Sequence, residues 1–406
     1  MKKSLVALAV LGSFAGVASA ATSVTLYGQV EAEYYDLFGK GEFATGAAID
    51  TAGLTATQIH TKVATLNGYT LPNGTKVVGA REVLAHSLSQ KPRRSDYIGV
   101  KGEEDLGNGV SAIFKLEGNI GVDVGSADLF NRETTVGVKG AFGEIKVGRA
   151  KSQVELTMGG LTGVHGVTDV DLYAISNARH SNGLFYEYKN SGFTFGADVT
   201  TKGGALGDTS EGTDGSKVGY GARLGYYGHG LLARVAYQND GPVAASSTVA
   251  GNNLAVGKKQ HEWAGVLAYN FYEGQKIPLA IGVSYAQGKG MAQGFFSATG
   301  LSTADTVYAK KATTMGAIVR TWFSPNDTAY VLFQKRKSTA ESGELMNNAW
   351  AVGLGYEHKL SKRTAVSLDT VYLKAKNIGV AGTTGFVSVP VSGKAYGYSL
   401  GLSHSF

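Results

Sequence analysis

The 406-residue chain has no cysteine and only six prolines, and after residue 20 it has no apolar run long enough to cross a bilayer as a helix. Without cysteine an exported chain has no disulfide framework, so stability must come from an extensive hydrogen-bonded structure. Scarce proline leaves strand interiors free of the residue that cannot donate to a ladder. There is no dense basic run to track a phosphate backbone, which excludes nucleic acid as a partner. No Cys pair or His–Glu spacing suggests a metal site, and no cofactor is expected. The 58 glycines show no triplet period, so they do not signal a collagen-like rod.

What is present begins with Lys2 and Lys3, the apolar run from Leu5 to Val17, and the small residues Ala18-Ser19-Ala20. This is the pattern of a secretory signal peptide. Residues 1–20 are therefore read as a leader cut between Ala20 and Ala21, and 21–406 as one domain. Removing Lys2 and Lys3 takes the formal charge from +6 to +4, spread thinly along the chain.

The remainder alternates apolar and polar residues. In the last segment Tyr396, Tyr398, Leu400, Leu402, His404 and Phe406 fall on one face, while Ala395, Gly397, Ser399, Gly401, Ser403 and Ser405 fall on the other. One face suits lipid and the other water. Such segments are predicted near 22–36, 92–102, 110–120, 131–140, 144–151, 179–190, 192–200, 217–228, 230–239, 259–272, 278–288, 309–323, 327–338, 348–360, 363–375 and 394–406. Sixteen is an even number, as a single-chain membrane barrel requires. An unpaired backbone group in hydrocarbon costs several kcal/mol, so first and last strands must pair. A ring of about sixteen strands is wide enough to hold water inside. The expected fold is all-β: a 16-stranded antiparallel transmembrane β-barrel.

Connections alternate in length. Glu103 to Asn108, Ala141-Phe142-Gly143, Asn190-Ser191, Gly228-His229, Ser324-Pro325-Asn326 and Ser361-Lys362 read as short periplasmic turns. Long segments near 37–91, 121–130, 152–178, 201–216, 240–258, 289–308, 339–347 and 376–393 read as loops facing outside the cell.

Several blocks carry a family resemblance. S-D-Y-I-G-V-K-G-E-E-D-L-G-N-G from Ser95 to Gly109 resembles the strand–turn–strand signature of Gram-negative general porins of the neisserial and β-proteobacterial type. V-T-L-Y-G (Val24 to Gly28), N-R-E-T-T-V-G-V-K-G (Asn131 to Gly140), F-G-E-I-K-V-G-R (Phe142 to Arg149), L-S-K-R-T (Leu360 to Thr364) and the closing phenylalanine extend it across the chain. The resemblance implies an outer-membrane homotrimer of water-filled barrels, embedded in lipid and passing ions and small hydrophilic solutes. It also implies a third extracellular loop, about Lys151 to Ala178 here, that folds inward and constricts the pore, and a terminal Phe406 read by the assembly machinery. Three features depart from the family: the first long loop, Leu37 to Lys91, is large, a P-E-F segment is absent, and Tyr97 stands where a basic residue is usual.

A basic wall facing an acidic loop sets a field across a narrow pore. Arg179, opposite in parity to Leu184, Tyr186 and Tyr188, points inward where the family places a constriction arginine. Arg132 matches another such arginine, yet shares the outward parity of Val136 and Val138; the motif match is given the greater weight. Arg93 shares the parity of Lys101, and Lys115 and Lys146 also read as lumenal. Facing them are placed Glu155, Asp169 and Asp171 of the third loop, while Glu31 and Glu33 alternate inward on the first strand. Arg234 and Arg320 have inward parity, since a cation at mid-bilayer on the lipid face costs about 2–4 kcal/mol. Arg149 is a candidate latch to a neighbouring subunit. Slight anion preference follows from the basic wall.

Two rivals remain. A membrane-embedded hydrolase would need a nucleophile motif, and the eight histidines are dispersed, with His165 reading as a solvated loop residue. No enzyme activity is expected. A substrate-selective channel would show a lumenal aromatic track, for which Tyr27, Tyr35 and Tyr330 have the parity without forming an evident line.

Overall fold

The computed structural model describes residues 23–43, 82–89, 96–122, 125–128, 130–162, 179–201, 218–242, 259–293, 307–339, 345–382 and 385–406. Within them sixteen strands form the wall: β1 (Ser23–Phe43), β2 (Tyr97–Gly107), β3 (Val110–Gly121), β4 (Thr134–Gly140), β5 (Gly143–Lys151), β6 (Arg179–Asn190), β7 (Phe193–Thr200) and β8 (Gly219–Gly228). The second half comprises β9 (Leu231–Pro242), β10 (Lys259–Asn270), β11 (Leu279–Lys289), β12 (Lys311–Trp322), β13 (Asp327–Thr339), β14 (Leu345–Lys359), β15 (Thr364–Gly382) and β16 (Gly385–Ser405). Each strand pairs antiparallel with its sequence neighbours. The ring closes because β1 pairs with β2 through Ser23–Gln29 and with β16 through Gln29–Phe43.

Burial is inverted relative to a soluble protein. Glu31, Glu33, Gln238, Glu262, Gln334 and Asp369 are buried inside, while Leu224, Val235, Trp263, Val319, Leu354 and Leu400 are exposed outside. Only a solvent that is apolar around the wall and aqueous within it favours this arrangement. The period-two alternation therefore positions every functional side chain by parity.

The short turns use left-handed backbone. Ser191 and Gly192 have φ of 48° and 85°, and His229 and Gly230 have 51° and 81°, the paired positive values of tight two-residue hairpin turns. Both turns lie one residue later than the sequence suggests. A short helix, α2 (Phe271–Gln275), fills the connection between β10 and β11 and is capped by the Asn270 side chain.

Elsewhere the ladder runs further than the alternation predicted. The second strand begins at Tyr97 rather than 92 and continues to Gly107, through most of the segment read as a turn. Segments taken as long loops carry pairing: Glu82–Ser89 lies along Glu33–Gly39, Ser126–Asp128 along Asn119–Gly121, and Met291–Gln293 along Val307–Ala309. The 376–393 segment is a continuation of β15 and β16, paired up to Gly382 and Gly385. Beyond the hydrocarbon layer a strand needs no apolar outward face, so its pairing leaves no hydropathy signature.

Candidate functional site

On the inner wall of β1 to β4, cations, carboxylates and tyrosines interlock. Lys115 Nζ lies 3.1 Å from both Glu117 Oε2 and Glu133 Oε2. Arg132 Nε lies 2.5 Å from Glu117 Oε1, and its Nη1 donates to Asn119 Oδ1 at 3.0 Å. The Tyr27 hydroxyl donates to Glu117 Oε2 at 2.9 Å. Lys101 and Lys115 stand 5.2 and 5.9 Å from the Tyr27 ring centre, Arg132 stands 4.8 Å from that of Tyr97, and the two rings meet edge-on at 6.0 Å. The tyrosine faces thus hold three cations by their quadrupoles, and Lys115 and Arg132 are held by charge pairing as well.

Arg132 reaches this cluster through a bulge. Glu117 N donates to Glu133 O at 2.7 Å and Arg132 N to Glu117 O at 3.1 Å, so two residues oppose one. Both Arg132 and Glu133 then turn to the lumenal side. Parity counted back from Val136 assumes an unbroken ladder, which is why it pointed Arg132 outward, whereas its side chain meets Glu117 and Asn119 on the inner wall.

After β5 the chain enters α1 (Gln153–Thr162). Ser152 Oγ accepts from Glu155 N at 3.2 Å, capping the first turn. Val154 and Met158 bury against Ala236, Ala264, Val266 and Ile318, all on the inner face of the wall. Arg234 Nη1 donates to Leu156 O at 3.2 Å, and Arg223, paired with Glu187, donates through Nε to Gln153 Oε1 at 3.3 Å. The helix therefore lies inside the barrel along β8 to β11.

Lys115 and Arg132 are thus brought together, and Arg179 lies within electrostatic range of Arg132, Glu117, Glu133 and Glu155. Glu155 itself stands 3.9 Å from Lys151. Lys146 pairs instead with Glu144 at 2.6 Å. Arg149 donates within its own chain, to Asn131 O at 2.8 Å and Ser181 Oγ at 2.6 Å. Glu31 and Glu33 are buried on the inner wall, Arg234 holds α1, and Arg320 pairs in register with buried Tyr330. Phe406 and Gly28 exchange two backbone hydrogen bonds at 3.1 Å, closing the ring. Arg93, Asp169, Asp171, Ala20, Ala21 and His165 lie outside the described residues.

Sequence reasoning missed the acidic members of the wall. Glu117 and Glu133 have lumenal parity, but Glu117 meets Tyr27 and Arg132 across 90 and 15 residues of sequence, which no local pattern shows. It also missed His180, whose Nδ1 lies 2.9 Å from Asp198 and Nε2 3.1 Å from Asp240, all three side chains buried. In the wall cluster, Lys101, Lys115, Arg132 and Arg179 face Glu117, Glu133 and Glu155, with Glu31, Glu33 and Asp96 buried on the adjoining inner wall.

A closed antiparallel ring, apolar outside and ionised within, is a transmembrane β-barrel channel. The Gram-negative porin profile matches residues 7–378. The chain belongs to the Gram-negative porin family. It is similar to outer membrane porin protein 32 of Delftia acidovorans, at 26% identity over the full length of both chains. Major outer membrane protein P.IB of Neisseria meningitidis serogroup B is 31% identical over 157 residues, 39% of this chain and 36% of that one. Among solved structures, an anion-selective porin from Comamonas acidovorans superposes with a TM-score of 0.63 at 19% identity, covering 95% of this chain and all of that one. The protein is an outer-membrane general diffusion porin, a water-filled passage for ions and small hydrophilic solutes.

Proposed function

We propose that this porin weakly prefers anions, and that the preference arises where α1 narrows the lumen opposite the basic wall. The observation that carries the proposal is the row of Lys101, Lys115 and Arg132 held on the Tyr27 and Tyr97 faces. Ions that shed water meet these cations on the wall, and cations held there lower the barrier for anions more than for cations. Arg179 adds to that wall, while Glu155, Asp169 and Asp171 supply the opposing sign, with Arg93 as a further lumenal cation. The relative from Comamonas acidovorans is described as anion-selective, which agrees in direction.

Three copies assemble, residues 1–20 are removed at Ala20–Ala21, and Phe406 serves as the assembly signal. The protein carries out no chemistry on its solutes. Planar-bilayer recording tests the set: large openings in groups of three steps, with a reversal potential displaced toward the anion equilibrium in a salt gradient, are expected. A clear cation preference would sink the selectivity reading, and single unequal steps the trimer.

A further inference from the structure

Arg179 opens β6, and its Nε is buried with no hydrogen-bond partner, so the backbone carries much of its placement. That backbone is laddered from one side. Arg179 and His180 pair with Lys151 and Ala150 of β5, and a bulge follows in which Ser181 and Asn182 oppose Arg149, with Asn182 at a left-handed φ of 52°. Toward β7 the register starts at Gly183, opposite Thr200. Among the described residues, 179–181 therefore have no ladder partner on that side.

The His180 side chain supplies the missing tie. Its Nδ1 lies 2.9 Å from Asp198 Oδ2 on β7, and its Nε2 3.1 Å from Asp240 Oδ1 on β9. Strand β8 runs between those two strands and carries glycine there. Gly221 stands in register with Asp198 on one side and Gln238 on the other. A Cβ at Gly221 would come within 2.8 Å of Asp198 Oδ1, and one at Gly219 within 2.6 Å of Thr200 Oγ1. Bare backbone on β8 lets acids from both neighbours reach one ring.

An ionised carboxylate accepts and does not donate, so an imidazole with one at each nitrogen has to carry both protons. All three side chains are buried, and Asp198 and Asp240 are the charged groups that act on the ring. β5 brings Ala150 beside it, β8 brings glycine, and Arg179 on its own strand lies in the field of Arg132, Glu117, Glu133 and Glu155. Removing one proton leaves a lone pair facing a carboxylate. Asp240 retains the 2.6 Å bond from Gln238 Nε2, whereas Asp198 has no other donor among the described residues. The neutral ring therefore keeps Asp198 and lets Asp240 go.

We propose that His180 is a positioning residue for ion selection: as an imidazolium it clamps the start of β6 to β7 and β9 and so holds Arg179 in the basic wall. Loss of its proton frees one side of the clamp and weakens the anion preference. The inference rests on that preference, proposed above, and names the residue that makes it depend on pH.

The test is the reversal potential of the full-length protein in a planar bilayer under a fixed salt gradient, read from about pH 5 to about pH 10, a span that brackets an ordinary histidine at about 6.5. The anion-to-cation permeability ratio should fall about twofold along a one-proton curve as pH rises, the size expected for one displaced charge in a hydrated lumen. His180→Gln should show the lower ratio and His180→Arg the higher, each without that step. Wall lysines and tyrosines also titrate in alkali, but alike in every variant, so the step belonging to His180 is the one both substitutions remove. Asp240→Asn, which leaves the ring one counter-charge, should move the midpoint to lower pH. Should the His180 variants not fold, the nitrogen NMR shifts of the His180 ring in the unaltered protein decide. Both nitrogens protonated at neutral pH, with a midpoint that coincides with that of the permeability ratio, are expected. A neutral ring at neutral pH, a flat ratio in the parent, or a step that survives in His180→Gln overturns the proposal. So does a His180→Gln variant that loses stability but keeps the parent's ratio at every pH, the mark of a purely structural role. Cation preference at every pH would instead sink the selectivity reading, and absent conductance the porin reading itself.

Discussion

The guanidinium of Arg132 sits 4.8 Å from the centre of the Tyr97 ring, on the strand position where the resembling family carries a basic residue. The aromatic does not replace that charge; it holds one delivered from the bulge before β4. A cation over an aromatic face contributes about 0.5–1 kcal/mol at a hydrated site. Arg132→Gln should therefore shift the reversal potential toward cations, and Tyr97→Leu should shift it in the same direction by less. If Arg132→Gln leaves ion preference unchanged in a tenfold salt gradient, the wall cluster does not set selectivity.

The last pair of the closing seam turns on Gly28. A Cβ there would stand 2.5 Å from Phe406 Cζ and 2.7 Å from Tyr97 O, the second a backbone atom that cannot step aside. Gly28→Val should block the terminal Gly28–Phe406 pairing and strand its backbone groups at the end of the seam that Gln29–Phe43 continues, each unpaired group costing several kcal/mol in hydrocarbon. The expected result is loss of the folded, heat-modifiable band in unheated gel electrophoresis. Normal folding of Gly28→Val would refute this closure geometry.

Arg234 ties α1 to the wall through one charge-assisted bond to Leu156 O. Such bonds contribute about 1.5–3 kcal/mol. Arg234→Ala should release the helix partly, raising open-channel current noise and mean conductance. Identical noise spectra for the variant and the parent would show that Val154 and Met158 hold the helix unaided.

The strand pattern was legible because lipid and water on opposite sides of one wall force an alternation that Leu400, Leu402 and their neighbours display openly. Arg234, Lys115 and Glu31 followed from that parity. Arg132 did not, since its orientation depends on a bulge defined by hydrogen bonds to Glu117, a residue on another strand. The long β15–β16 hairpin was hidden for a different reason. Outside the bilayer both faces meet water, so nothing in the hydropathy of 376–393 distinguishes a paired strand from a loop.

At the β12–β13 turn, Asp327 accepts from the His358 ring at 2.7 Å, from the Ser324 hydroxyl, and from the Tyr356 hydroxyl at 2.5 Å. These bonds, His358 foremost, hold its carboxyl well below the usual range. A depressed folded value means the contribution to stability is complete above the unfolded value of about 4 and fades as pH falls through the lower folded one. Asp327→Asn should lower the melting temperature at pH 7, and the gap from the parent should shrink below about pH 4. A gap that widens in acid would reverse the sign assigned to these bonds.

His180 is wedged between two carboxylates, and nothing else among the described residues donates to the Asp198 side chain. Asp240 keeps a bond from Gln238 Nε2 at 2.6 Å, so the two acids would not suffer equally if the imidazole were removed. His180→Ala removes the donor that Asp198 has among the described residues, and breaking a buried pair in this way costs about 3–5 kcal/mol. His180→Gln, which can still donate to one side, should recover part of that loss. Urea unfolding midpoints of vesicle-inserted protein measure both. A His180→Ala variant within about 1 kcal/mol of the parent would mean that water reaches the acids once the ring is gone, because only hydration could replace the missing donors so cheaply.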